Sequence, residues 1–300
     1  MKKVLRLGVV GDLHGAFEPA DATGLDAMGY ARLIFVGDLG TGTLATDRRV
    51  ARAMARLATP LFVMPGNNDC AHAPMLRAEL GHGSGMAELL HESGARHRSS
   101  SVGASGDVVW CGYSRHRLDA GGWSLTVVAG RPYAMGGETL SFADELALRY
   151  GVRSMEESID RLVALVDEVD TEAVLFLGHN GPTGLGAERD ALWGSDFRDG
   201  EGDHGDPDLA AAIAHAKARG LAVLGVVAGH MHHRLRGGGM RRWSERRDDT
   251  LYVNPARVPR IVHEGGSVKR HHVALAIHPH RMDAEEIWVV DPAERGSAGR

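Results

Sequence analysis

The chain has 300 residues, a hydrophobic share of 43%, a charged share of 24% and a net charge of -5. That composition is ordinary for a globular protein with a sizeable core, and the negative balance argues against a general binder of nucleic acid or membrane surfaces. Two cysteines, Cys70 and Cys111, are too few for a disulfide framework and are not spaced as a zinc site, so a soluble protein of the reducing cytoplasm is expected.

The first apolar run, Val4–Val10, is broken by Arg6 and meets Asp12 at once. It is too short for a secretory signal and predicts a strand. The runs Leu33–Val36, Leu61–Met64, Val174–Leu177 and Leu221–Ala228 are likewise continuous rather than alternating, the pattern of strands buried on both faces. Residues 44–58 read as a helix. Residues 81–125, rich in Gly and Ser, predict an excursion that caps the site, with strands at Val108–Tyr113 and Ser124–Ala129. In Met155–Val169 the residues Met155, Ile159, Leu162, Val163, Val166 and Val169 form a helical stripe, and Ser154 and Glu157 have capping-box spacing. Another helix is predicted from Asp206, with Pro207 at its first position and Leu209, Ile213 and Ala216 on one face. Leu251–Asn254, Val273–Ile277 and Ile287–Val290 predict a second sheet. The mixed charges of Arg241–Asp249 read as a solvated hairpin tip, and 292–300 as a disordered tail. No stretch approaches the ~20 apolar residues of a membrane helix. Strand and helix alternate, so the fold class is α/β, with one domain over 1–291.

Each of the five main apolar runs ends at a polar cluster: Gly11-Asp12-Leu13-His14, Gly37-Asp38, Gly66-Asn67-Asn68-Asp69, Gly178-His179-Asn180 and Gly229-His230-Met231-His232-His233. Ligand sites in α/β sheets lie beyond the carboxyl ends of the strands, so five strands deliver Asp, Asn and His to one rim. Carboxylate, imidazole and amide oxygen suit hard or borderline divalent metals. Asp-x-His puts two side chains on the same side of an extended segment, within reach of one ion; His230 and His232 have the same relation. A glycine before each cluster predicts a tight turn. Any one of these signals alone is a turn or a structural histidine; five in order, each after a strand, point to a metal centre.

The order Asp-x-His, Gly-Asp, Gly-Asn-x-Asp, Gly-His, Gly-His-x-His, spanning residues 12–232, resembles the calcineurin-like metallophosphoesterase superfamily. The resemblance implies two mixed β-sheets packed as a sandwich and flanked by α-helices. It implies one divalent ion held by Asp12, His14 and His232, a second held by Asn67, His179 and His230, Asp38 bridging them, and Asp69 supporting. Manganese is the first expectation, with iron, zinc or magnesium as alternatives. Segments such as Leu177–Gly186 and Gly202–Asp208 are similar to a subfamily found in cyanobacteria and plants, to which no substrate attaches.

The implied activity is hydrolysis of a phosphate ester by a hydroxide bridging the ions, with a small phosphodiester or nucleotide-type substrate preferred. The family's Gly-Asn-His pattern is broken here, because Asn68 replaces the histidine that acts near the leaving group. An amide donates a hydrogen bond but is no general acid at neutral pH. Candidate replacements are His204, His72 and His233, in that order. His204 leads because it lies in Gly202-Asp203-His204-Gly205-Asp206, where a carboxylate is expected to orient its ring. Arg131, Arg257 and Arg115 are candidates for a second phosphate. Gly37-Asp38-Leu39-Gly40-Thr41-Gly42 departs from the Gly-Asp-x-x-Asp-Arg-Gly of the protein Ser/Thr phosphatases. The competing class is a scaffold on the same fold, as in a retromer subunit whose metal site has decayed; the complete ligand set argues against it.

Overall fold

Two sheets lie face to face in a computed structural model that describes residues 3–80, 107–197 and 202–291. In chain order the strands are β1 (Leu5–Val10), β2 (Arg32–Phe35), β3 (Leu61–Val63), β4 (Val108–Trp110), β5 (Ser114–Asp119), β6 (Ser124–Ala129), β7 (Ala173–Leu177), β8 (Ala222–Val227), β9 (Ser244–Arg247), β10 (Thr250–Val253), β11 (Ile261–Glu264), β12 (Ser267–His278) and β13 (Arg281–Asp291). The helices are α1 (Pro19–Ala27), α2 (Leu44–Met54), α3 (Ala73–Leu80), α4 (Ala143–Tyr150), α5 (Met155–Asp167) and α6 (Pro207–Ala218).

One sheet has the order β11-β12-β1-β2-β3-β4, with β13 also paired to β12. The other has the order β5-β6-β7-β8-β10-β9. β1 to β4 run parallel, as do β6, β7, β8 and β10. Parallel strands need helical crossovers, and these place α1, α2 and α3 outside the first sheet and α4, α5 and α6 outside the second.

Burial on both faces explains the continuous apolar runs. Leu5, Leu7 and Val9 point into the core between the sheets, with Ile34, Leu175, Leu224 and Val273. Leu33, Phe35 and Val63 point the other way, against Leu25, Val50, Met54 and Leu76 of the first helical layer. Val174 and Phe176 meet Leu162, Val166, Leu209 and Ile213 of the second.

Half of the predicted capping box forms at α5: Ser154 Oγ accepts the Glu157 N–H at 3.2 Å, but the Glu157 carboxylate takes the N–H of Arg153, one residue before the cap, at 2.6 Å. Pro207 opens α6, and Leu209, Ile213 and Ala216 are buried. Within residues 107–125 of the predicted excursion, the predicted strands appear as β4, which ends at Trp110, and β6; with β5 between them they carry the chain from one sheet to the other. Residues 81–106 and 292–300 lie outside the described residues. The charged run at 241–249 does form a hairpin, β9 to β10, but Arg241 is buried rather than solvated. Among the described residues no helix is long and apolar enough to cross a membrane.

Candidate functional site

The carboxyl ends of β1, β2 and β3 in one sheet and of β7 and β8 in the other open onto the same rim. Asp12 and His14 follow β1, Asp38 follows β2, Asn67 follows β3, His179 follows β7, and His230 and His232 follow β8. The loops are tightly wound. His14, Asp38 and His230 have φ of 41°, 49° and 67°, conformations that cost non-glycine residues of order 1–3 kcal/mol and cluster at functional sites. Hydrogen bonds hold them: the His14 N–H donates to Asp38 O at 2.8 Å, and the His230 N–H to Asp12 Oδ2 at 3.1 Å.

The side chains converge in two groups, Asp12 with His14 and His232, and Asp38 with His179 and His230. In the first, His14 Nε2 lies 3.0 Å from His232 Nε2, which is 3.4 Å from Asp12 Oδ2. In the second, His179 Nε2 lies 3.2 Å from His230 Nδ1 and 3.0 Å from Asn67 Oδ1, which adds the amide oxygen to the set. Asp38 faces both: Oδ2 is 3.6 Å from His14 Nε2, and Oδ1 is 3.5 Å from His179 Nε2. Ligand atoms about 2.0–2.2 Å from one ion stand roughly 2.8–3.6 Å from each other in tetrahedral or octahedral coordination. The observed spacings fit a divalent cation in each group, with Asp38 between them.

Charge and tautomer agree with that fit. His179 Nδ1 donates to Val36 O at 2.6 Å, which leaves the Nε2 lone pair for the ligand group. Burial pushes His230 down to about 3, with the charge of His179 helping, so its imidazole is neutral. Burial opposes charge on His179 and His232, yet Asp38 raises the first and Asp12 the second above the ordinary histidine value. The carboxylates thus draw protons onto rings whose place as partners a cation would take. Burial would also raise Asp12, but its hydrogen bond to His232 and the charges of His179 and His14 hold it below the usual carboxylate range. Asp69 is pushed up to about 7 by burial and by Asp38. It accepts the N–H groups of Gly66 at 2.8 Å and Leu39 at 2.9 Å, tying the loops after β3 and β2 together.

The remaining candidates separate clearly. Asn68 is turned onto Asp38: its side-chain amide donates to Oδ2 at 2.6 Å and its backbone N–H to Oδ1 at 2.9 Å. His204 is tied by its backbone to the residue that follows His179, its N–H donating to Trp193 O at 2.8 Å and its carbonyl accepting from Asn180 Nδ2 at 2.9 Å. Among the described residues no flanking carboxylate orients its ring, contrary to expectation. Asp203 accepts the N–H groups of Gly184 and Gly205, and Asp206 pairs with Arg131 at 2.8 Å. His72 is bound to Asp47 at 2.7 Å. His233 is buried on Asn254 O, and burial pushes it down to about 4. The three arginines are also spent elsewhere: Arg131 on Asp206 and Asp208, Arg115 on Glu168, and Arg257 on Glu286 and the Trp288 ring.

Some site-building residues escaped the sequence. Arg241 donates to the carbonyls of His232, Ala191 and Gly194 and to Asp196, so it anchors the loop that carries two ligands. Trp193 Nε1 donates to Gly229 O at 3.1 Å. The glycines before the clusters serve close approach more than turning. A Cβ at Gly66 would stand 2.3 Å from Asp38 Oδ1, and one at Gly229 2.3 Å from Asp12 Oδ1; of the five, only Gly37 has positive φ.

The same fold recurs in known proteins. The sequence pattern of the family described as Calcineurin-like phosphoesterase matches residues 5–234. The crystal structure of protein TT1561 of Thermus thermophilus superposes with a TM-score of 0.53 at 15% identity, over 94% of this chain and 98% of that one. A dimetal phosphatase of Danio rerio superposes with a TM-score of 0.50 at 11% identity, over 94% and 98%. Among curated proteins no relative matches. With the motif order, the sandwich and the paired ligand groups in agreement, the chain belongs to the calcineurin-like phosphoesterase family.

Proposed function

We propose that this chain is a dinuclear metal-dependent hydrolase of a small phosphoester, with a phosphodiester or nucleotide-type substrate preferred. The observation that carries the reading is Asp38, whose two oxygens face two different ligand groups. Two divalent ions bound there supply Lewis-acid polarisation of phosphoryl oxygens and a water activated at neutral pH. The chain fixes where that chemistry happens. Asp38 sets the separation of the groups, Asn68 orients both its oxygens, and neutral His230 presents a lone pair. Asp69 locks the loops of Asp38 and Asn67 together. Manganese is the first expectation, and the mixed nitrogen and oxygen donors also accept iron, zinc or magnesium.

The substrate preference rests on charge. The three candidate arginines are each paired with a carboxylate, so none of them is assigned to clamp the second negative charge of a monoester. A diester carries a single charge and asks less of the protein.

The test is to measure bound metal, and turnover of 4-nitrophenyl phosphate and bis(4-nitrophenyl) phosphate with added manganese, for wild type and Asp38→Asn. About two ions per chain, turnover favouring the diester, and loss of both in the variant support the proposal. A wild type that binds no ion and turns over neither ester refutes it and redirects the search to a protein partner.

A further inference from the structure

Cleaving a phosphate ester leaves an alkoxide, and the poorer the leaving group the more the barrier depends on a proton delivered to it. The histidines around the rim divide by what their rings already do. His14, His179, His230 and His232 aim nitrogens into the ligand groups. His72 is held by Asp47, and His233 by a buried carbonyl. Asn68 has no transferable proton, and its amide is committed to Asp38.

His204 is different. Among the described residues its ring nitrogens take no hydrogen-bond partner, although its backbone is fixed at both ends. Its N–H is on Trp193 O, and its carbonyl is on Asn180, the residue after His179. The ring is cradled. Phe197 meets it edge-on at 4.9 Å between centroids. A Cβ at Gly136 would stand 2.6 Å from its Cδ2 and 2.2 Å from its carbonyl oxygen, and one at Gly137 3.5 Å from its Cε1. Both glycines have positive φ, 82° and 75°, so the backbone bends around this one imidazole. The charge of His204 also helps hold His230 down, which puts the ring within electrostatic reach of the second ligand group.

We propose that His204 is the proton donor to the leaving group, on the reading that the site hydrolyses phosphoesters. The oxygen of water forms the new bond to phosphorus and its proton passes to solvent. The bond from phosphorus to the leaving oxygen breaks, and the electron pair stays on that oxygen. The proton on the His204 ring moves to it, and the neutral imidazole is reprotonated from solvent. Atoms and charge balance with water as the sole co-reactant.

The experiment compares wild type, His204→Gln and His204→Ala on two diesters, bis(4-nitrophenyl) phosphate and diphenyl phosphate. Metal titration of each metal-free protein and a thermal melt run alongside. The variants are expected to take up the same number of ions with the same affinity and to melt within a few degrees of wild type. Turnover of the 4-nitrophenyl ester falls less than about threefold, whereas the phenyl ester loses about 10²–10³-fold and the alkaline limb of its pH profile. In the magnesium-loaded wild type, inorganic phosphate shifts the His204 ring resonances in an NMR spectrum. Equal losses on both esters overturn the assignment, as does weakened metal uptake, since either marks a structural role. A wild type that turns over no ester overturns the phosphoesterase reading and this assignment with it. Turnover by the wild type with equal losses in the variants overturns the His204 assignment alone.

Discussion

The side-chain amide of Asn68 donates to Asp38 Oδ2 at 2.6 Å while its backbone N–H reaches Oδ1 at 2.9 Å. One residue therefore orients both oxygens of the carboxylate that faces the two ligand groups. Asn68→Asp sets two carboxylates against each other at that distance. The metal-free variant is expected to lose about 1–3 kcal/mol of stability, with manganese restoring a larger share of it than in wild type. Chemical denaturation with and without the ion checks this; equal losses in both conditions would show that Asn68 does not act through Asp38.

Metal uptake should release protons. In the metal-free protein His179 and His232 titrate above the ordinary histidine value, burial being outweighed by Asp38 and Asp12. A raised histidine favours the protonated, metal-free fold at low pH, and that advantage is lost as pH rises through the raised value. Affinity for a divalent ion should therefore climb as pH rises toward those raised values and level off above them. Calorimetry in buffers of different ionisation enthalpy reads the protons directly, and a buffer-independent enthalpy would contradict the expectation.

Acid should weaken the fold through buried histidines that belong to neither ligand group. Burial pushes His116 down to about 4 and His272 down to about 3. Unfolded, each binds a proton near pH 6.5; folded, neither does until pH 3–4. Their contribution is complete above pH 6.5 and is lost as pH falls through that value toward the folded ones. The urea midpoint should drop from pH 7 to 5, and His272→Gln should flatten that slope by about one proton's worth. A midpoint that holds steady between pH 7 and 5 would count against these assignments.

Removing the Arg241 guanidinium should damage both stability and metal binding. It serves three carbonyls and Asp196 in a buried position. Arg241→Met leaves Asp196 without its cation, at an expected cost of about 3–5 kcal/mol. Because one of those carbonyls belongs to His232, the group of Asp12, His14 and His232 should lose affinity more than the other. Metal titration resolves the two. Gly66→Ala should instead disturb both groups together, since the new methyl would strike Asp38.

The sequence was informative where a pattern is local. Continuous apolar runs marked β1, β2, β3, β7 and β8 because both faces of those strands are covered, and each polar cluster sat at a strand end where topology collects side chains. It was silent where a partner is remote. Arg241 lies among mixed charges that read as solvated, and nothing nearby in the chain reveals the carbonyls of Ala191 and Gly194 that enclose it. Arg131 read as a phosphate clamp because Asp206 and Asp208 are more than seventy residues away. β5, with the sequence Ser-Arg-His-Arg-Leu-Asp, escaped notice because an edge strand is covered on fewer sides and keeps polar residues. The short α1, α3 and α4 offered too few turns for a clear stripe.

Both ligand groups draw on both halves of the chain: Asp12, His14 and Asp38 come from its beginning, His179, His230 and His232 from far downstream. During synthesis the second group cannot be complete until His230 has left the ribosome, nor the first until His232 has. A nascent chain that has made only the first sheet's parallel strands offers an ion nothing better than a few carboxylates and one imidazole. An ion can therefore meet a full ligand group only after β8 has been made and the second sheet's strands have come up against the first's.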